Sequence, residues 1–228
     1  MSIKKRYMSL ILVVTMLIFS ISSFAVDNTV NDTEDEVSQV FKNFLEPFYE
    51  GNRTAYKAIS KNNSADVTEN FYQETIIFYQ QQDWAKIHDL FEENLQGMSK
   101  TETTYSQTAS CSGDIAKNQS KTFLHTLKGI GGSEGYETYG RDMAYTLTGT
   151  IYYNPNTGIV SSAVGPTVTE MSIQPGDTNN IWEQTSQIAR VMSNGAYANF
   201  SSTIHVYFSY FIMVDFGNVI DSFTIYPG

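Results

Sequence analysis

From Val37 to Phe48 the apolar side chains fall at intervals of three and four residues. Val37, Val40, Phe41, Phe44, Leu45 and Phe48 form one stripe of a helix, with Thr33 and Glu36 as a capping box before it. Pro47 is expected to loosen the last turn and Gly51 to end the helix. Asn62-Asn63-Ser64 predicts the cap of a second helix, with Asp66 and Glu69 near its positive end and Val67, Phe71, Phe78 and Tyr79 on or near one face. Asp83 caps a third, in which Trp84, Ile87, Phe91 and Leu95 share a stripe ending at Gly97.

Beyond Gly97 the hydrophobic period becomes mostly two. Lys121 to Leu127 predicts a strand, and Gly129, Gly131, Gly132 and Gly135 predict a flexible connection after it. Met143, Tyr145, Leu147, Ile151 and Tyr153 alternate with Ala144, Thr146, Thr148, Thr150 and Tyr152, giving a strand with one apolar and one Thr-rich face. Asn154 to Gly158 is a turn, so Ile159 to Val164 returns as a hairpin partner, and Thr167 to Ile173 is a further short strand. Ile181 to Met192 suits either a helix or a strand. Ile204, Val206, Phe208, Tyr210, Ile212, Val214 and Phe216 all point one way, and Gly217-Asn218 is expected to turn the chain into a last strand, Val219 to Tyr226.

Helices followed by strands without intervening crossover helices imply an α+β fold. The N-terminal helical region gives way to an antiparallel β region, expected as a two-layer β-sandwich. Three segments follow: a signal peptide over residues 1–25, an acidic helical region over 26–98 and an antiparallel β domain over 99–228. The boundary at Gly97 to Tyr105 marks either two folding units or one change of architecture.

Composition, 41% hydrophobic and 17% charged, is that of a globular chain. The first segment has the three parts of a secretory signal: Lys4, Lys5 and Arg6, the apolar run Leu10 to Phe19, and the small residues Ser23 and Ala25 before the expected cut. Neither that run nor Ile204 to Phe216, divided by Ser209, reaches the roughly 20 apolar residues of a spanning helix. Secretion, to the medium or to loose association with the cell surface, is the expected location. Loss of three signal cations takes the formal charge from −10 to −13. With no basic run left to meet a phosphate backbone, nucleic acid is excluded as the expected partner. The lone Cys111 allows no internal disulfide and has no neighbour that would activate its thiol.

The candidate chemistry is sparse. His88 and Glu92 lie four apart on the third helix, a spacing that places an imidazole and a carboxylate on one face. Zinc would need further ligands that no local motif supplies, so neither a metal nor a cofactor is expected. His125 and His205 fall in separate strands, and Asp142 and Asp215 are the carboxylates within sequence reach of them. Those six residues are the pool for an assembled hydrolytic site, although the Gly-x-Ser-x-Gly elbow is absent. Tyr152 and Tyr207 are the candidate binding aromatics, since tyrosine combines a flat apolar ring with a hydroxyl.

The resulting expectation is a secreted, non-enzymatic binding or interaction module whose partner is a surface glycan or another protein. The alternatives are a small exported hydrolase with a site drawn from distant residues and a membrane-active toxin, because Thr/Ser-alternating strands suit a pore lining.

Overall fold

The computed structural model describes residues 37–104, 113–131, 137–174, 180–209 and 213–228. The Thr33/Glu36 box, Cys111, Gly132 and Gly135 lie outside the described residues, as does the signal segment.

Three helices come first. Helix α1, Gln39–Tyr49, is capped by Ser38, whose hydroxyl accepts from the Phe41 N–H at 3.2 Å. Its predicted stripe is buried from Val40 to Phe48, and Pro47 is accommodated in the last turn. Helix α2, Thr68–Gln80, starts later than the asparagines suggest. Asn63 instead closes a turn by accepting from Ala65 N–H, while the Asp66 carboxylate takes both Thr68 donors at the helix entrance. Helix α3, Trp84–Asn94, is capped by Asp83, which accepts from Lys86 N–H at 3.0 Å.

Strand β1, Tyr56–Ser60, lies between α1 and α2, and no local pattern predicts it because five residues carry too little periodicity. Helix α3 passes directly into β2, Leu95–Thr104, so Gly97 is a strand residue and does not end the helix. The remaining strands are β3 (Ile115–Gly131), β4 (Glu137–Asn154), β5 (Ile159–Gln174), β6 (Asn180–Met192), β7 (Tyr197–Ser209) and β8 (Met213–Ile225). The ambiguous Ile181 to Met192 segment is therefore extended, held to β7 by an antiparallel ladder. Gly129 and Gly131 are the end of β3, where added Cβ atoms would lie 2.6 Å from the Val214 methyls. They admit β8 against the strand and do not form a loop. The two short strands expected between Ile159 and Ile173 are one, β5, with irregular register near Gly165 and Pro166. Gly217, at φ +80°, belongs to a bulge within β8 and not to a turn, because β8 already pairs with β7 from Met213 onward.

All eight strands among the described residues belong to one hydrogen-bonded antiparallel sheet, not to two separate sheets. The expected sandwich is thereby corrected. Strand β3 pairs with β4 along its length, with β2 over its first half, and with β8 at Ile130–Asp215. That last bridge joins what would otherwise be two sheets. The halves still meet: the Phe200 ring of β7 lies where a Cβ on Gly149 of β4 would sit at 2.8 Å. Since β4 and β7 are not sheet neighbours, the sheet curls until its inner faces touch.

Two buried clusters follow from strand parity. The inner one joins Phe123, Leu127, Met143, Tyr145 and Leu147 to Phe200, Ile204, Val206 and Phe223. The second joins Phe41, Phe48, Phe71, Ile87 and Phe91 of the helices to Ala58, Met98 and Leu124 of the strands. Adjacent residues of β3, Phe123 and Leu124, thus face different cores.

Candidate functional site

Each histidine meets a carboxylate, and the three pairs occupy different places. His88, half-buried on α3, places Nε2 3.0 Å from Asp142 Oδ1 on β4. The other Asp142 oxygen accepts from the Ser38 hydroxyl. Ser38, Asp142 and His88 have the composition of a catalytic triad but the wrong order. Nucleophile activation requires the imidazole between serine and carboxylate, whereas here the carboxylate is between them. The arrangement ties α1 and α3 to β4. Burial alone would lower the His88 pKa, but the Asp142 hydrogen bond and charge, with Glu92 and Asp89 beside it, raise it overall.

His125 lies on the inner side of β3, with Nε2 2.7 Å from Asp221 Oδ2 on β8. The same oxygen accepts from the Tyr145 hydroxyl of β4, and the Tyr145 and His125 rings stack at 6.1 Å. Burial first, then the Asp221 charge and hydrogen bond, raise the Tyr145 pKa far above its ordinary value, so the phenol stays a donor. Gly97 explains how the imidazole fits. A Cβ there would lie 2.8 Å from His125 Cε1 and Nδ1, so the second ring nitrogen faces the β2 backbone instead of an open cleft. Lys121 approaches the same inner region; burial and then Lys57 lower its pKa against the opposing pull of Asp221.

His205 lies on the outer face of β7, its Nδ1 3.0 Å from Asn218 Oδ1 and its Nε2 3.4 Å from Asp215 Oδ1. Glu92, the remaining candidate, pairs with Lys128 at 2.6 Å. Of the six candidate residues, the fold joins His88 to Asp142 and His205 to Asp215, gives His125 an unanticipated partner in Asp221, and sends Glu92 to a lysine. Among the described residues no histidine hydrogen-bonds to a hydroxyl nucleophile, and no three His, Cys, Asp or Glu side chains converge as a metal site.

The outer face of β6, β7 and β8 carries a different kind of feature. Pairing aligns Ile188, Ser201 and Ser222 in one row, Arg190, Asn199 and Thr224 in the next, and Met192 and Tyr197 in a third that continues to the exposed Tyr226. Short side chains in the middle rows leave a groove of about 390 Å³ between Ile188, Arg190 and Met192 on one side and β8 on the other. Its volume lies in the lower part of the roughly 300–1,000 Å³ range of small-molecule sites. Thr224 donates to Asn199 Oδ1 at 2.8 Å, which leaves the Asn199 amide N–H groups for another partner. Tyr197 and Tyr226 stand 5.5 Å apart at a 41° tilt. Tyr207 shares this outer face, beside His205, whereas Tyr152 is half-buried on the Thr-rich side of β4. The groove residues escaped sequence reasoning because Ser, Asn and Thr in a strand look like ordinary solvent-facing positions; only register places them side by side.

No protein-family model, curated protein or solved structure matches this chain. Among the described residues no helix is long and apolar enough to cross a membrane.

Proposed function

We propose that the protein is an exported, non-enzymatic recognition module that binds a surface glycan or a protein through the outer face of β6–β8. The observation that carries this reading is the groove between Ile188 and Thr224, a concave surface lined by unreactive polar and apolar groups. The single curled sheet serves as its support, with inner faces occupied by core side chains and outer faces that present ligand contacts. The histidines favour the same reading. They act as ties between elements: His88 joins helix to sheet, and His125 joins β3 to β8.

The test is saturable binding of the purified protein to immobilised cell-wall glycans and cell-surface proteins, with Ser201→Trp as the groove-filling variant. Ser201 points outward, so tryptophan is expected to leave the thermal midpoint nearly unchanged while weakening binding by at least about tenfold. Absence of saturable binding, or binding indifferent to Ser201→Trp, overturns the proposal.

A further inference from the structure

Resting on that reading, we infer that the groove takes a carboxylate-bearing oligosaccharide, with Arg190 as the anion contact and Tyr197 and Tyr226 as the surface for a sugar ring.

Charge is the first argument. The chain is strongly acidic, yet no carboxylate lines the groove and one guanidinium does. The Lys and Arg ion pairs among the described residues join Arg53 to Glu69, Lys57 to Asp66, Lys100 to Glu102 and Lys128 to Glu92, which leaves Arg190 outside them. A planar guanidinium presents a fork of donors that matches a carboxylate with two parallel hydrogen bonds.

Hydrogen-bond polarity is the second. Asn199 is the cross-strand neighbour of Arg190, and its amide oxygen is already occupied by Thr224. Its remaining amide hydrogens therefore extend the donor set beside the guanidinium, while Ser201 and Ser222 add hydroxyls that both donate and accept. An acceptor-rich ligand with hydroxyls of its own satisfies all four groups.

Aromatic placement is the third. The Tyr197 and Tyr226 row lies two residues beyond the arginine row, about 7 Å along the strands. Tyr226 is 60% exposed. A tyrosine ring offers the apolar face of a sugar a flat contact and offers its hydroxyls a partner. Carboxylate recognition and ring contact are thus available to one short, extended glycan, whereas a neutral sugar could accept hydrogen bonds from Arg190 but would offer no countercharge and no bidentate pair.

The decisive experiment titrates the purified protein with tri-galacturonate, with fully methyl-esterified tri-galacturonate and with a hyaluronan tetrasaccharide, followed by calorimetry and by amide chemical shifts. The expected result is binding of at least one acidic oligosaccharide, with shifts centred on Asn199, Ser201, Thr224 and Tyr226. Arg190→Ala is expected to weaken that binding at least about tenfold and Arg190→Lys to restore part of it. The methyl ester should bind correspondingly worse, and added salt should reduce the difference. Equal binding of acid and ester, indifference to Arg190→Ala, shifts centred elsewhere, or no binding of either acid overturns the inference. If these arms fail while another ligand still binds in a manner abolished by Ser201→Trp, the recognition-module reading stands and only the acidic-sugar assignment falls. If no ligand binds in either experiment, both fall.

Discussion

Tyr145 and Asp221 show how much of this molecule turns on single polar atoms placed inside an apolar core. Tyr145 is 1% exposed, and its hydroxyl shares one Asp221 oxygen with His125. Tyr145→Phe keeps the ring and removes the donor, so the expected loss is about 1–2 kcal/mol in urea denaturation, with the fold retained. The His88–Asp142 contact adds a pH dependence. Because the folded-state pKa of His88 is raised, its contribution is complete below its unfolded value of about 6.5 and is lost as pH rises through the higher folded value. The stability advantage of the wild type over His88→Gln is therefore expected to be largest below about pH 6 and to shrink toward pH 8, as measured by denaturation midpoints across that range. At this scale the sequence named the three histidines and, in Asp142 and Asp215, two of their acids, but neither Asp221 nor which histidine meets which acid. Asp142 lies 54 residues from His88, and Asp221 lies 96 from His125. Nothing local announces such pairs.

The elements were more legible than their ends. Helix α1 follows from its apolar stripe, though not its Ser38 cap, α3 follows from its stripe and its Asp83 cap, and β4 follows from its alternation, whose apolar set Met143, Tyr145, Leu147, Ile151 and Tyr153 is buried. The errors gather at glycine. Local pattern makes Gly97, Gly129, Gly131 and Gly217 breaks, yet each lies within a strand. At the first three, a neighbouring strand or side chain occupies the volume a Cβ would need; at Gly217 the backbone itself requires positive φ. Gly149 belongs with them, since it receives the fully buried Phe200 ring. Gly149→Ala is expected to cost about 1–3 kcal/mol through overpacking, read from the shift in the thermal midpoint, because that ring has no solvent to retreat into. The same substitution at Gly140, where a Cβ meets nothing within 4 Å, is the control and should change little.

For the molecule as a whole, the helices and the sheet meet in one packed cluster instead of lying as neighbours on a string. Met98 and Leu124 of the sheet are buried with the aromatic side chains of α1, α2 and α3, while the opposite face of β3 belongs to the core between the sheet halves. A strand shared in this way couples both cores. Leu124→Ala is expected to cost about 2–5 kcal/mol and to lower a single calorimetric transition without dividing it in two. Two resolved transitions would show that helices and sheet unfold separately. By itself the sequence determined the helical stripes, the faces of the main strands and the α+β class, because these depend on periodicities of a few residues that any local segment displays. Strand order, the bridge at Ile130–Asp215 that makes one sheet of two halves, the acid each histidine meets and the row that sets Arg190 beside Asn199 were decided only by the tertiary structure. Those features depend on register and on contacts between segments far apart in the chain, where many alternative pairings satisfy the same local pattern and only the packing of the whole selects one.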